Sequence, residues 1–299
     1  MKDAVQYAVI TPVRDEAHYI DRTIDSMVRQ TVPPMTWIIV DDGSTDGTGA
    51  MLDALAARSE QVQVIHNLDR GYRAAGSGVV EAFDLGYRSL GAAPWQFIVK
   101  LDGDLSFDPD YFERCFQAFA ADARLGIAGG TVCRWSAGEL VVDSTGDPAF
   151  HVRGATKIYR RECWEQIAPL LKAPGWDTVD EVKANLHGWT TRTLEDVPLV
   201  QHKPTGSADG AWKDAFKNGR ADYASGYHPA FMLAKCMRRA LRKRSLVGSA
   251  ALLAGFCSGY LRKAPRVDDP RAIRYLRQQQ LRRLLFRPSI YDPAARLSA

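Results

Sequence analysis

The chain has 299 residues, 46% hydrophobic, 25% charged and 10% aromatic, with a net charge of +4. That length and balance fit one large domain, or one domain with an extension, and exclude a disordered, collagen-like or low-complexity chain. The charge is unevenly spread: residues 226–299 carry 16 Lys/Arg against 3 Asp/Glu, and residues 1–225 carry 23 against 32.

In chain order, residues 7–10 read as a short apolar strand. Residues 18–30 read as a helix, with Ile20, Ile24, Met27 and Val28 recurring on one face. Residues 37–40 are a second apolar strand, and residues 47–58 a helix with Asp46 as a candidate N-cap. A third strand at 62–65, a helix at 77–90 and a fourth strand at 97–101 follow. Asp108-Pro109 then opens a helix, with a cap residue before Pro at the first position. Residues 126–210 are mixed, with short strands and helices near 160–171 and 178–187. From about residue 226 the pattern is helical and basic.

Continuous apolar strands between amphipathic helices predict an α/β fold with a mainly parallel sheet between helices. Such sheets bind ligands beyond the carboxyl ends of their strands. Polar clusters stand at those places: residues 11–16 after the first strand, 41–48 after the second and 102–104 after the fourth. Five scattered cysteines show neither metal-ligand nor redox spacing, which fits a reducing compartment. The N-terminus shows no charged-then-apolar signal pattern, so no export is expected.

The strongest chemical signal is Lys100-Leu101-Asp102-Gly103-Asp104. Two carboxylates one residue apart, at the end of a buried strand, favour a hard divalent cation with oxygen ligands. The alternative is a plain Asp/Gly turn. The second signal is Asp41-Asp42-Gly43-Ser44-Thr45-Asp46-Gly47-Thr48. A carboxylate there can accept hydrogen bonds from a base or ribose, and the small polar residues can cap the next helix.

Residues Val9-Ile10-Thr11-Pro12-Val13-Arg14-Asp15-Glu16, the Val40–Thr48 run and Asp102-Gly103-Asp104 together resemble the inverting family 2 glycosyltransferases of bacterial polysaccharide biosynthesis. The match spans roughly residues 5–205. The resemblance implies the GT-A fold and transfer of a sugar from a nucleoside diphosphate donor, with UDP the family's usual nucleotide and Mg²⁺ or Mn²⁺ as cofactor. It sets Thr11, Pro12, Glu16 and Asp42 around base and ribose, with Arg14, Lys100 and Asp102 also on the donor side. It makes Asp102 and Asp104 the metal motif, the second being the direct ligand. Gly71 and Arg73 lie where the family has a glycine-containing donor loop, without its common Asn-rich form. His202 matches a late histidine that completes the metal shell; a lone histidine can also be structural. The Lys203–Ser207 stretch after it could fold over a diphosphate.

An inverting transfer needs a base for the acceptor hydroxyl, and one carboxylate in reach is sufficient. The family's Glu-Asp pair corresponds here to Trp176-Asp177. Asp177 aligns best as the base. It also suits an N-cap of the 178–187 helix, and Asp180 and Glu181 stay open as alternatives. A sugar nucleotidyltransferase is disfavoured, because no Gly-rich loop follows the first strand. A non-catalytic scaffold of the same fold is the second reading.

The basic section contains a charge-free run, residues 245–261, with Gly248, Gly255 and Gly259 and cations on both sides. A spanning helix needs about 20 apolar residues. An interfacial helix on an anionic membrane surface, a soluble packing helix and a true span are the three readings. Residues 271–287 look like an amphipathic helix with a basic face. The expected division is a catalytic domain at 1–225 and a basic, helical, membrane-associating extension at 226–299. A lipid-linked or saccharide acceptor at the cytoplasmic face of the inner membrane would explain the extension. No nucleic-acid module is recognisable, and the acidic body argues against nucleic acid as a partner.

Overall fold

A computed structural model describes residues 5–72, 76–143, 146–203, 210–243 and 246–292. Its elements are β1 (Tyr7–Val13), α1 (Ile20–Val28), β2 (Thr36–Asp41), α2 (Thr48–Ala56), β3 (Val62–His66), α3 (Ser77–Ser89), β4 (Phe97–Leu101), β5 (Leu105–Phe107), α4 (Tyr111–Ala121), β6 (Leu125–Ser136), β7 (Glu139–Val142), β8 (Thr156–Arg160), α5 (Arg161–Ile167), α6 (Trp176–Leu186), β9 (Thr190–Gln201), α7 (Gly210–Ala224), α8 (Pro229–Lys243), α9 (Leu246–Leu261) and α10 (Pro270–Leu284).

The strands form one sheet in the order β3-β2-β1-β4-β8-β6-β9-β5, with β7 paired to β6. Strands β3, β2, β1 and β4 are parallel. Beyond β4 the sheet is mixed: β8 is antiparallel to both β4 and β6, β9 is parallel to β6, and β5 is antiparallel to β9. The mainly parallel expectation therefore holds for the first half of the sheet. Strands β1, β2 and β4 are buried on both faces because helices cover both sides, which is why they read as continuous apolar runs. One core lies between the sheet and α1, α2 and α4, and contains Val9, Ile39, Val99 and Phe112. The other lies on the opposite face and contains Ile10, Ile38, Phe83 and Trp164.

Some boundaries move for local reasons. Val28 is exposed while Ile20 and Met27 are buried, so the apolar stripe of α1 is narrower than its spacing implied. The helix expected at Asp108-Pro109 starts at Tyr111, with Asp110 in the cap position; the Pro109 carbonyl instead accepts from the Thr31 amide. The stretch near 160–171 is shorter as helix than expected, because Thr156–Arg160 is strand β8 and α5 ends at Ile167.

The helical unit begins at α7, before the expected 225/226 boundary. Gly219 of α7 lies against α9 so closely that a Cβ there would stand 1.9 Å from the Leu252 carbonyl oxygen. Gly255 and Gly259 of α9 meet Phe216 and Tyr223 of α7 in the same way. The charge-free run is thus a helix whose glycine face is buried in packing. Tyr223, Met232, Cys236, Leu252, Phe256 and Leu276 form the core of this unit, joined by Val182 of α6. At the start of α10, Asp269 accepts from the amides of Arg271 and Ala272, with Pro270 in the first turn.

Candidate active site

The loops after β1, β2 and β4 converge at one end of the sheet. The first two are tied together by hydrogen bonds. Ser44 Oγ accepts from the Asp15 amide at 2.9 Å, Thr48 Oγ1 from the Glu16 amide at 2.9 Å, and Asp46 Oδ2 from the Ala17 amide at 3.0 Å. Asp46 Oδ1 also accepts from the Thr48 amide at 3.1 Å, but the cap position of α2 belongs to Gly47, at φ 95°, and not to Asp46 as expected. Asp42 is gripped from two sides: Arg70 donates to Oδ2 and Asn67 Nδ2 to Oδ1 at 3.3 Å. Arg14 donates to the Asp42 carbonyl at 2.8 Å and pairs with Asp69 at 2.7 Å. Two guanidinium groups therefore fix the loop that carries Asp42.

The remaining donor-side residues fall into different places. Thr11 is fully buried, and its hydroxyl accepts from Trp37 Nε1 at 2.9 Å, so it supports the sheet. Pro12 pairs with Val40 inside β1. Glu16 accepts from Lys203 Nζ at 2.6 Å, which ties the end of β9 to the loop after β1. Gly71 is exposed, at φ 73°, and its amide donates to Asp69. Arg73 and residues 204–207 lie outside the described residues.

Asp104 is buried. Its Oδ2 accepts from Gln201 Nε2 at 3.1 Å, while its shielded Oδ1 has no partner among the described residues. Burial, and next the Asp102 carboxylate, push its pKa up to about 7. Asp102 accepts from Lys100, which also donates to the Gly154 carbonyl. An orphaned buried oxygen beside a second carboxylate suits a hard cation, so the Asp102/Asp104 pair fits the implied metal. His202 does not join them. Its amide donates to the Asp104 carbonyl at 2.9 Å, but its Nε2 lies 2.8 Å from Ser106 Oγ. Burial, with Arg22 nearby, lowers its pKa. Among the described residues no three His, Cys, Asp or Glu side chains gather as a metal-holding group.

Asp177 sits in the first turn of α6, and the cap position belongs to Gly175. Gly175 has φ 89°, and a Cβ there would lie 2.4 Å from Ser225 Oγ, so α7 presses on the start of this helix. No hydrogen bond reaches the Asp177 carboxylate among the described residues, and it lines a cavity of about 700 Å³ shared with Lys100, Asp102 and Gln201. The arrangement frees Asp177 from the capping role and turns it to open space.

Asp180 and Glu181 are placed otherwise. Both side chains are fully buried against Lys157 of β8, whose ammonium is 2.8 Å from each. Tyr159 Oη also donates to Asp180 at 2.7 Å. His151 Nδ1 and the Val152 amide contact Glu181 at 3.0 and 2.7 Å. Asp180 therefore faces the core and is removed from the candidate bases by its burial and pairing. Lys157 also donates to the Asp177 carbonyl at 2.5 Å. Its ammonium and that of Lys100 lie 5.4 and 5.6 Å from the Trp176 ring centroid. Trp176, standing where the family's Glu is expected, thus packs beside two lysine heads. Burial alone would depress the His151 pKa, but Glu181 overrides it and lifts it to about 9.

Sequence reasoning did not find Lys157, His151 or the role of Arg70 at Asp42. Lys157 faces Lys100 in the β4–β8 register, a relation that only the sheet creates.

A family model described as glycosyl transferase family 2 matches residues 8–162, just over half of the chain. The chain belongs to this family. Among curated proteins, this family 2 chain is 31% identical to polyprenol monophosphomannose synthase of Mycolicibacterium smegmatis over 174 residues, 53% of the chain and 63% of the relative. It is 28% identical to undecaprenyl-phosphate mannosyltransferase of Micrococcus luteus over 141 residues, 46% of the chain and 55% of the relative. The matches span less than two thirds of either relative. Among solved structures, mannosyltransferase PcManGT of Pyrobaculum calidifontis, in complex with GDP-Man and Mn²⁺, superposes with a TM-score of 0.57 at 17% identity. That match covers 99% of this chain and 79% of the other. TarS 1–349 of S. aureus, in complex with UDP-GlcNAc, gives 0.53 at 17% identity, covering 94% and 86%. These are GT-A fold enzymes, and the family 2 chain has that fold.

Proposed function

We propose that the protein is a metal-dependent inverting glycosyltransferase. It moves a sugar from a nucleoside diphosphate donor, UDP-linked in the first instance, to a hydroxyl of a lipid-linked saccharide in cell-surface polysaccharide assembly. The observation that carries the reading is Asp104, a buried carboxylate whose Oδ1 has no partner among the described residues, beside Asp102, which lines the same crevice as Asp177.

Asp42, held by Arg70 and Asn67, accepts from the nucleoside, and the Glu16–Lys203 pair ties the end of β9 to the loop after β1. Asp104 and Asp102 would hold Mg²⁺ or Mn²⁺, which when bound would neutralise charge on the departing diphosphate. Asp177 takes the proton of the acceptor hydroxyl as that oxygen attacks the anomeric carbon in line. The bond to the donor phosphate breaks in the same step, so the centre inverts and no covalent enzyme intermediate forms. Lys157 fixes the first turn of α6, and with it Asp177, through the Asp177 carbonyl.

The relatives named for polyprenol and undecaprenyl phosphate support a lipid-linked acceptor. Among the described residues no helix is long and apolar enough to cross a membrane. Leu233, Met237 and Leu241 form an exposed ridge on α8, and Leu246, Val247 and Leu261 are exposed on α9. With the surrounding Lys and Arg, this suits peripheral attachment to an anionic cytoplasmic leaflet.

The test is turnover. UDP-, GDP- and dTDP-sugars are offered with Mn²⁺ and an undecaprenyl-diphosphate-linked saccharide, and the anomeric configuration of the product is read by NMR. Inverted product from the parent and none from Asp177→Asn is the expected result. Retained configuration, or full activity of Asp177→Asn, would overturn the mechanism.

A further inference from the structure

The 700 Å³ cavity is closed on one side by the helical unit, through Asn218 and Asp222 of α7, Lys235 and Arg239 of α8 and Leu252 of α9. These residues lie outside the stretch matched by the family model. Most charges on the cavity wall are already matched. Lys100 pairs with Asp102, Arg153 with Asp143, His151 with Glu181, and Lys235 with both oxygens of Asp222 at 2.9 and 2.8 Å. Arg239 is the exception among the cations. Its Nε is shielded from solvent and has no partner, and among the described residues its guanidinium makes no hydrogen bond or ion pair. A half-buried guanidinium without an anion is unfavourable unless a ligand completes it.

Helix α8 presents two faces. Lys235 and Arg239, four residues apart, line the cavity, whereas Leu233, Met237 and Leu241 are exposed. The helix contains no Asp or Glu. At about 100° per residue the ridge stands on the opposite side of α8 from Lys235 and Arg239, so the cations alone face the cavity. The guanidinium fork matches phosphate oxygens in pairs.

We infer that Arg239, supported by Lys235, is an acceptor-side anchor for a phosphate or diphosphate group, holding the acceptor so that its sugar hydroxyl reaches Asp177. This rests on the proposed function and names the acceptor chemistry of the same crevice. Arg239 is not placed at the reacting atoms; it positions the acceptor.

The test is calorimetry on the full chain with farnesyl diphosphate and with inorganic pyrophosphate, both in EDTA, on the parent, Arg239→Ala, Arg239→Lys and Arg70→Ala. Farnesyl diphosphate should bind the parent, and Arg239→Ala should weaken it about tenfold or more. Arg239→Lys should recover part of the loss, and Arg70→Ala, on the nucleoside side, should leave it unchanged. Tighter binding of farnesyl diphosphate than of pyrophosphate assigns the phosphate to a lipid; equal binding assigns it to a soluble diphosphate. No binding to the parent, an unchanged affinity in Arg239→Ala, or an equal loss in Arg70→Ala would overturn the inference. Titration of the same samples with UDP, GDP and dTDP in Mn²⁺ separates the failures. Nucleotide binding with an idle Arg239 sinks the anchor alone, whereas no nucleotide binding sinks the proposed function.

Discussion

Replacing Lys157 by Met should be among the most damaging single changes in the catalytic domain. Lys157 is fully buried, and its ammonium holds the Asp177 carbonyl, both oxygens of Asp180 and Glu181 Oε1. Methionine fills much of the same volume, so the packing loss is small. What remains is two carboxylates without solvent and without their shared cation. Removing one partner of a buried ion pair costs about 3–5 kcal/mol. For a chain of this size that lowers the melting temperature by about 6–20 °C. The loss should also depend on pH. Burial already raises the Asp180 pKa to about 7, against the opposing pull of Lys157. Without the lysine it rises further. A folded state that binds protons more tightly than the unfolded one loses stability as pH rises through that range. The variant should therefore be closer to the parent at pH 5 than at pH 8. Urea unfolding followed by circular dichroism at both values reads this out. A variant within 1 kcal/mol of the parent at pH 8, or equally destabilised at both values, would refute the charge argument.

Asp177→Asn should lower kcat by about 10²–10⁴-fold while nucleotide affinity, measured separately, stays within about twofold. His151→Gln should flatten the pH dependence of stability. The folded His151 pKa is raised to about 9, so its contribution is complete below about 6.5 and fades as pH approaches 9. The parent should lose stability across that window more steeply than the variant, as urea midpoints at pH 6, 7.5 and 9 would show. Gly219→Ala pushes a methyl into the Leu252 carbonyl and should cost about 1–3 kcal/mol. Hydrogen exchange should show the loss first in α7 and α9.

The legible parts of the fold were those where local pattern and burial agree. Phe97–Leu101 reads as a strand residue for residue because both faces of β4 are covered. Strand β5 could not be read, since three residues show no alternation and exist as a strand only against β9. The Asp108-Pro109 signal was sound chemistry, but Thr31 claims the Pro109 carbonyl and the helix starts two residues later. At the site, Asp42, Asp102 and Asp104 stood out by their places after apolar strands, and Asp177 by the resemblance to family 2, although turns and helix caps use the same residue type. The sequence favoured Asp177 as the base but left Asp180 and Glu181 open. Their difference is set by Lys157 on β8, some 20 residues away in the chain. The basic C-terminal section was visible in composition, but which face of α8 meets the crevice depends on how α7 and α9 pack.

The central claim is a metal-assisted nucleoside diphosphate site at Asp104. The most direct measurement is calorimetric titration of UDP, GDP and dTDP, each with Mn²⁺ and with EDTA, into the parent and Asp104→Ala. One nucleotide should bind the parent with Mn²⁺, and that binding should be lost both in EDTA and in the variant. Binding of none of them with Mn²⁺, or binding unaffected by EDTA and by the substitution, would contradict it.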